Sequence, residues 1–234
     1  MNKKRLKDFW NKEYKDPEFF ALSEKVSADL EKYIRFMQRE FGDDVFRPGV
    51  FVLDLGCGNG RNLIYLADRF GVSGIGYDIS EEAIKQAQKS SAHLGDRVQF
   101  AVRSISEPLP LPDASVDLIL DLMSSHFLAE SEREVYRAEM LRVLTPDGFL
   151  LFKSFYAEGD VHARKLVAKH GAGEKNAYIH PRLKVYEYVW TDEAIAEYFE
   201  PHFIKLKEET SHKHFSKGRP NKRRSIICYF QKRP

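Results

Sequence analysis

The sequence predicts an α/β protein with a doubly wound sheet, and three observations carry that prediction. The run Val50-Phe-Val-Leu53 ends at Asp54, and Gly56, Gly58 and Gly60 follow before a helical pattern begins. That order reads as a buried strand, a tight turn and a helix start. The same alternation then repeats down the chain. Finally, Asp54 and Asp78 stand at the carboxyl ends of the first two predicted strands, where open α/β sheets place their ligands.

Taken in order, residues 5–20 hold Phe9, Trp10, Tyr14, Phe19 and Phe20 among charges. A helical pattern from Ser23 to Phe41 steps through Val26, Leu30, Tyr33, Ile34, Met37 and Phe41, and Gly42 ends it. Residues 1–44 are thus expected to form an N-terminal helical extension, and 45–234 the main domain. Leu63, Leu66, Ala67 and Phe70 make the next helix stripe, stopped by Gly71. Gly74–Asp78 reads as the second strand, after which Ser80 caps a helix with Glu81 and Glu82 in its first turn. Val98–Val102, Asp117–Asp121 and Phe149–Phe155 read as the third to fifth strands. Ser131-Glu-Arg-Glu134 matches a capping box for the helix before the fifth. An insertion is expected at about 156–190, then a helix capped by Thr191. Phe203–Leu206 and Ser225–Phe230 are expected to close the sheet as an antiparallel pair.

Composition narrows the class. With 234 residues and 43% hydrophobic content, the chain suits one domain with additions. No apolar run reaches the ~18 residues that span a bilayer, and Asp8 and Phe9-Trp10 replace a signal core after the basic N-terminus. A cytoplasmic protein without a membrane partner is expected. The two cysteines, Cys57 and Cys228, have no metal-like spacing, and a thiol in the glycine turn suits a reducing compartment. Net charge is +2, but from Lys213 onward there are eight Lys/Arg and no Asp/Glu.

The glycine turn decides the ligand class. The dinucleotide fingerprint G-x-G-x-x-G fails in both frames, because its third glycine falls on Arg61 or on Leu63. Asp54-Leu-Gly-Cys-Gly-Asn-Gly60 instead resembles, at every defined position, the Asp/Glu-x-Gly-x-Gly-x-Gly turn of class I S-adenosylmethionine (SAM) methyltransferases. Leu109-Pro-Leu-Pro-Asp-Ala-Ser-Val-Asp117 and Leu144-Thr-Pro-Asp-Gly148 resemble two further segments of that family. The resemblance covers about residues 45–155.

It implies a Rossmann-like, seven-stranded methyltransferase sheet with an N-terminal helical cap and a C-terminal antiparallel hairpin. It also implies SAM as cofactor. Asp54, Gly56, Cys57, Gly58, Asn59 and Gly60 would hold its methionine part, Asp78 its ribose hydroxyls, and Ile79 would pack beside adenine. Ser104 and Ile105 fall where an Asp usually reads the adenine amino group, and an uncharged hydroxyl makes a weaker bond there. The loop after the fourth strand borders the methyl group in this family, so Asp121 is expected among the cofactor contacts, and Asp121 and His126 are the candidate proton acceptors. For His126 the competing reading is a helix cap or a packed ring.

On the acceptor side, Trp10 and Tyr14 read either as ligand contacts or as core, and Tyr178 and His180 as pocket lining or apolar cover. The segment with His212, His214 and Arg219 has three readings. It is a positive wall for an anionic acceptor, a phosphate-contacting hairpin for RNA, or a solubilising edge. The two histidines lack a third ligand, so no metal is expected. The function that follows is methyl transfer from SAM to a small acceptor, anionic if the positive-wall reading holds, by in-line displacement. The alternatives are an RNA or protein methyltransferase and a non-catalytic SAM-binding protein.

Overall fold

The run around Val50 becomes β1 (Phe51–Leu55), and its alternation shows why the sheet is covered on both faces. Leu53 and Leu55 point into one hydrophobic cluster, Val52 into another. The computed structural model describes residues 3–211, 214–216, 219–221 and 223–234. Parallel pairing joins β1 to β2 (Ser73–Asp78) and to β4 (Val116–Leu122), β2 to β3 (Val98–Val102), and β4 to β5 (Leu144–Tyr156). The antiparallel pair is β8 (Phe203–Ser211) and β11 (Arg224–Lys232), longer than the apolar runs suggested. The seven-stranded order is β3-β2-β1-β4-β5-β11-β8, as expected of the fold class, with β11 antiparallel to both neighbours.

Helices fill both faces. α2 (Ala28–Phe41) and α3 (Arg61–Phe70) bring Leu30, Met37, Leu63 and Leu66 onto Val52, Leu118 and Leu151. α4 (Glu81–Ser90) adds Ile84 and Ala87 to that face. α5 (Glu130–Val143) and α7 (Asp192–Phe199) bring Tyr136, Met140, Ile195 and Phe199 onto Ile119, Phe152 and Phe230. Cys57 and Cys228 lie in the opposite clusters, both as free thiols.

Several local signals act as expected: Gly71 ends α3 in the left-handed region, and Ser80 and Thr191 accept from the amides of Ala83 and Ala194. Others shift. The aromatic N-terminal stretch is itself a helix, α1 (Lys3–Lys15), and α2 starts at Ser27, whose hydroxyl accepts from Asp29 N, not at Ser23. The capping box falls elsewhere too. Ala129 precedes α5, and Glu132 reaches back to accept from its amide at 2.9 Å, while Ser131 lies inside the helix. The 156–190 segment contributes α6 (Val161–His170) and a small hairpin, β6 (Ala177–Ile179) with β7 (Tyr186–Tyr188). Short strands β9 (His214–Ser216) and β10 (Arg219–Asn221) pair beyond β8. Among the described residues no helix is long and apolar enough to cross a membrane.

Candidate active site

Strand order reverses between β1 and β4, and a cavity of about 650 Å³ opens at their carboxyl ends. Open α/β sheets bind ligands at this switch point. The volume lies within the roughly 300–1,000 Å³ of small-molecule sites.

The glycine turn builds one wall. The amides of Gly56 and Cys57 both donate to Tyr77 O, at 2.7 and 3.0 Å, folding the turn against β2. Gly56 and Gly58 have φ of +74° and +57°, which already favours glycine. Space forbids a side chain as well: a Cβ on Gly56 would overlap Ser124, and one on Gly58 the Tyr14 hydroxyl. Asp78, at the end of β2, is tied directly to this turn. Its Oδ2 accepts from Gly58 N at 2.9 Å and its Oδ1 from Ser80 N at 2.8 Å. Burial raises its carboxyl above the usual range, and those amides pull it back. Each carboxylate oxygen retains acceptor capacity for a ligand hydroxyl.

Asp54 is 2% exposed and its Oδ2 has no partner among the described residues. Burial first, then the Asp78 and Asp121 charges, push it up to about 7. An orphaned buried oxygen beside a turn too tight for any Cβ is what a cationic, hydrogen-bonding ligand would complete, so these residues fit the methionine part of SAM.

Of the expected residues, Gly56, Asp78, Ile79, Ser104, Ile105, His126, Trp10 and Tyr14 line the cavity. Ser104 Oγ lies 2.9 Å from Ser106 Oγ and accepts from Ser106 N. Asp54, Cys57, Gly58, Asn59 and Gly60 stand behind the lining, shaping the turn. Asn59 Nδ2 and Arg61 Nη1 both donate to Ser23 O, fastening the connection between α1 and α2 over the turn.

Other expectations are corrected. Asp121 is not among the lining residues, and its carboxylate is engaged by its own loop and by α5. Oδ2 accepts from Tyr136 OH at 2.7 Å, and Oδ1 from Ser124 and Ser125. It therefore positions Ser124 against Gly56. His126 does line the cavity, yet burial and then Arg223 lower it to about 3, so the ring is neutral and a poor proton acceptor. Its Nδ1 has no partner among the described residues. Tyr178 is wholly buried and donates to Glu187, while His180 Nδ1 accepts from Arg182 N and Leu183 N, closing a turn. Neither lines the cavity. His212 lies outside the described residues, as do the side chains of His214 and Arg219.

The sequence reading missed Phe19, Phe20, Phe127, Phe155 and Glu187, which line the far end. Phe19 and Phe20 belong to the aromatic N-terminal stretch and Glu187 to the alternating run at Val185–Trp190, while Phe127, next to His126, and Phe155, at the end of the fifth strand, carried no signal of their own.

The family model for the methyltransferase domain matches residues 52–148, the segment from β1 into β5. These residues are a class I SAM-dependent methyltransferase domain. Among its relatives, the 27-O-demethylrifamycin SV methyltransferase of Amycolatopsis mediterranei is 36% identical over 55% of this chain and 47% of that protein. The fatty-acid O-methyltransferase of Mycolicibacterium smegmatis is 29% identical over 64% of this chain and 54% of that protein. The chain spans about half the length of the curated relatives it matches. The fold is shared with the 1,6-didemethyltoxoflavin-N1-methyltransferase of Burkholderia thailandensis, solved with 1,6-didemethyltoxoflavin and S-adenosylhomocysteine bound. Its TM-score is 0.71 at 18% identity, covering 99% of this chain and 88% of that one. SAM is the cofactor of such a methyltransferase domain.

Proposed function

We propose that the protein is a methyltransferase that moves the SAM methyl group onto a small, largely apolar acceptor by in-line displacement. One observation carries the reading: a single cavity is lined by Gly56 of the glycine turn, by Asp78 and by an aromatic wall. Donor and acceptor then share one cavity, and holding them in line provides most of the catalysis, because the sulfonium is already an activated leaving group. In this reading Asp54 and the turn 56–60 hold the methionine part, and Asp78 accepts from the ribose hydroxyls. Ile79, Ser104 and Ile105 face the adenine, and Trp10 and Tyr14 cover the site from α1. Asp121 acts through Ser124 and the turn, not on the substrate.

An acceptor with an apolar body agrees with the wall, and with the fatty acid that one of the two relatives methylates. The anionic acceptor expected from the basic C-terminal run rested on side chains outside the described residues, whereas Glu132 and Glu187 face the cavity. RNA phosphates would meet those carboxylates unfavourably.

Calorimetry should show SAM binding that Asp78→Ala weakens ~10- to 100-fold, the cost of losing hydrogen bonds to a charged group. SAM consumption with a panel of apolar small molecules then tests turnover. Full SAM affinity in Asp78→Ala would overturn the ribose assignment, and binding without turnover on any acceptor would overturn the enzyme reading.

A further inference from the structure

Beyond Ser124 the cavity wall becomes a continuous aromatic belt. Phe20 stacks on Trp10 with ring centroids 5.2 Å apart, and Trp10 meets Phe127 edge-on at 5.7 Å. Phe127 lies against His126 at 4.0 Å, and His126 meets Phe155 at 4.7 Å. The belt ends at Glu187, 2% exposed yet part of the lining. Among the described residues its Oε2 takes both donors, the Tyr178 hydroxyl and Arg223 Nη1 at 3.2 Å, and Oε1 keeps acceptor capacity for a ligand. The cations that line the cavity, Lys3, Arg61 and Arg103, are bonded to Glu107, Ser23 O and Pro108 O. None belongs to the belt. Arg223 itself lies over Phe155 at 3.7 Å, its charge matched by Glu187 and, at 3.8 Å, by Asp160.

Glu187 reaches the end of an apolar pocket already paired with Arg223 and Tyr178, and both engage Oε2, so Oε1 keeps acceptor capacity for a ligand donor. Aromatic faces carry negative potential, so belt and carboxylate favour the same thing, a positively charged or strongly donating nitrogen. We infer that the acceptor is an apolar amine, its nitrogen held beside the aromatic belt with Glu187 Oε1 accepting its N–H. This deepens the methyltransferase reading and rests on it.

The chemistry closes without a protein base. The ammonium form gives one proton to water before attack, and the lone pair so freed forms the new N–C bond as the methyl C–S bond breaks. The C–S electron pair stays on sulfur, which becomes a neutral thioether. The positive charge that leaves sulfur reappears on nitrogen as an ammonium, beside the rings and the carboxylate. Its proton departs to water after release. A neutral alcohol would need a proton acceptor during attack, and His126 is a poor one.

The test uses benzyltrimethylammonium and its neutral carbon isostere neopentylbenzene as probes, with S-adenosylhomocysteine present. Trp10 fluorescence reports binding, since Trp190 is only 2% exposed. The cation should bind at least tenfold more tightly than the isostere. Glu187→Gln should erase most of that preference while calorimetric affinity for S-adenosylhomocysteine stays unchanged. Phe20→Leu, which leaves the Arg223 pairing intact, should lower the preference several-fold and serves if Glu187→Gln does not fold. With SAM, phenethylamine should yield the N-methyl product, and the matching alcohol none. Equal binding of the two probes, an unchanged preference in both variants, or methylation of the alcohol alone would overturn the amine. Failure to bind either SAM or S-adenosylhomocysteine would instead remove the methyltransferase reading beneath it.

Discussion

A buried carboxylate with an unpartnered oxygen is costly until a ligand meets it. Asp54 is that residue, raised from 3.8 to about 7 by burial and by its two acidic neighbours. The fold therefore favours its protonated form. That contribution is fully present below pH 3.8 and is lost as pH rises through about 7. Asp54→Asn removes the titration while keeping the shape. The ligand-free variant should melt roughly 3–6 °C higher than the parent at pH 8, given ~2–4 °C per kcal/mol at this chain length. The gain should shrink steadily toward pH 4, and SAM affinity should fall. An equal gain at both pH values would refute the titration argument. His126 makes the opposite case, a base kept neutral. Its Cε1–H NMR signal, assigned by its loss in His126→Asn, should not move between pH 8 and 5 because its midpoint lies near 3. An inflection near 6.5 would show that the ring reaches water.

Elements in this protein are locked together by buried charges that local sequence patterns do not reveal. Arg133 on α5 lies 3.9 Å over the Tyr188 ring of β7, donates to Leu128 O at 2.7 Å and pairs with Glu174. Removing one partner of a buried pair costs ~3–5 kcal/mol, so Arg133→Ala should lower the urea midpoint strongly at unchanged slope. Arg133→Met, which keeps cover over Tyr188, should lose less. A loss below ~1 kcal/mol would mean that Glu174 re-solvates instead. Glu13 on α1 is fully buried and its carboxylate accepts from the amides of Glu18, Phe19 and Phe20. It holds the aromatic loop in place as a positioning residue. Glu13→Ala should speed hydrogen exchange at the Phe19 and Phe20 amides and weaken benzyltrimethylammonium binding, with little effect on S-adenosylhomocysteine. Unchanged exchange would free the loop from Glu13.

These cases also mark what was legible beforehand. A strand, a glycine turn and a helix are contiguous in the chain, so Asp54, the three glycines and Asp78 announce their half of the cavity within some two dozen residues. Glu187 and Arg223 are 36 residues apart and meet only after β7 and β11 are laid against the insertion and the sheet. Their charges read as surface until the fold is built. Asp121 misled for a related reason: its strand-end position was right, but Tyr136, on the following helix, claims the carboxylate.

At the scale of the whole molecule, the cavity is assembled from distant parts of the chain: α1, the loop after it, the ends of β1, β2 and β4, and β7. α1 is held down over α4 by Lys7 with Glu81 at 2.6 Å and by Asn11 Oδ1, which accepts from Ser80 Oγ at 2.9 Å. A ligand in the cavity thus touches both the N-terminal helix and the sheet and should stiffen them together. At 100 times its Kd, a ligand that binds only the folded state adds ~2.7 kcal/mol, or roughly 5–10 °C in Tm for a chain of this length. SAM should produce a shift of that size, and hydrogen exchange should slow in α1 and in the glycine turn alike. Protection confined to the turn, with α1 exchanging as before, would mean that α1 is not a wall of the site. Trp10 and Tyr14 would then be covering the core, and the aromatic belt would lose its outer half.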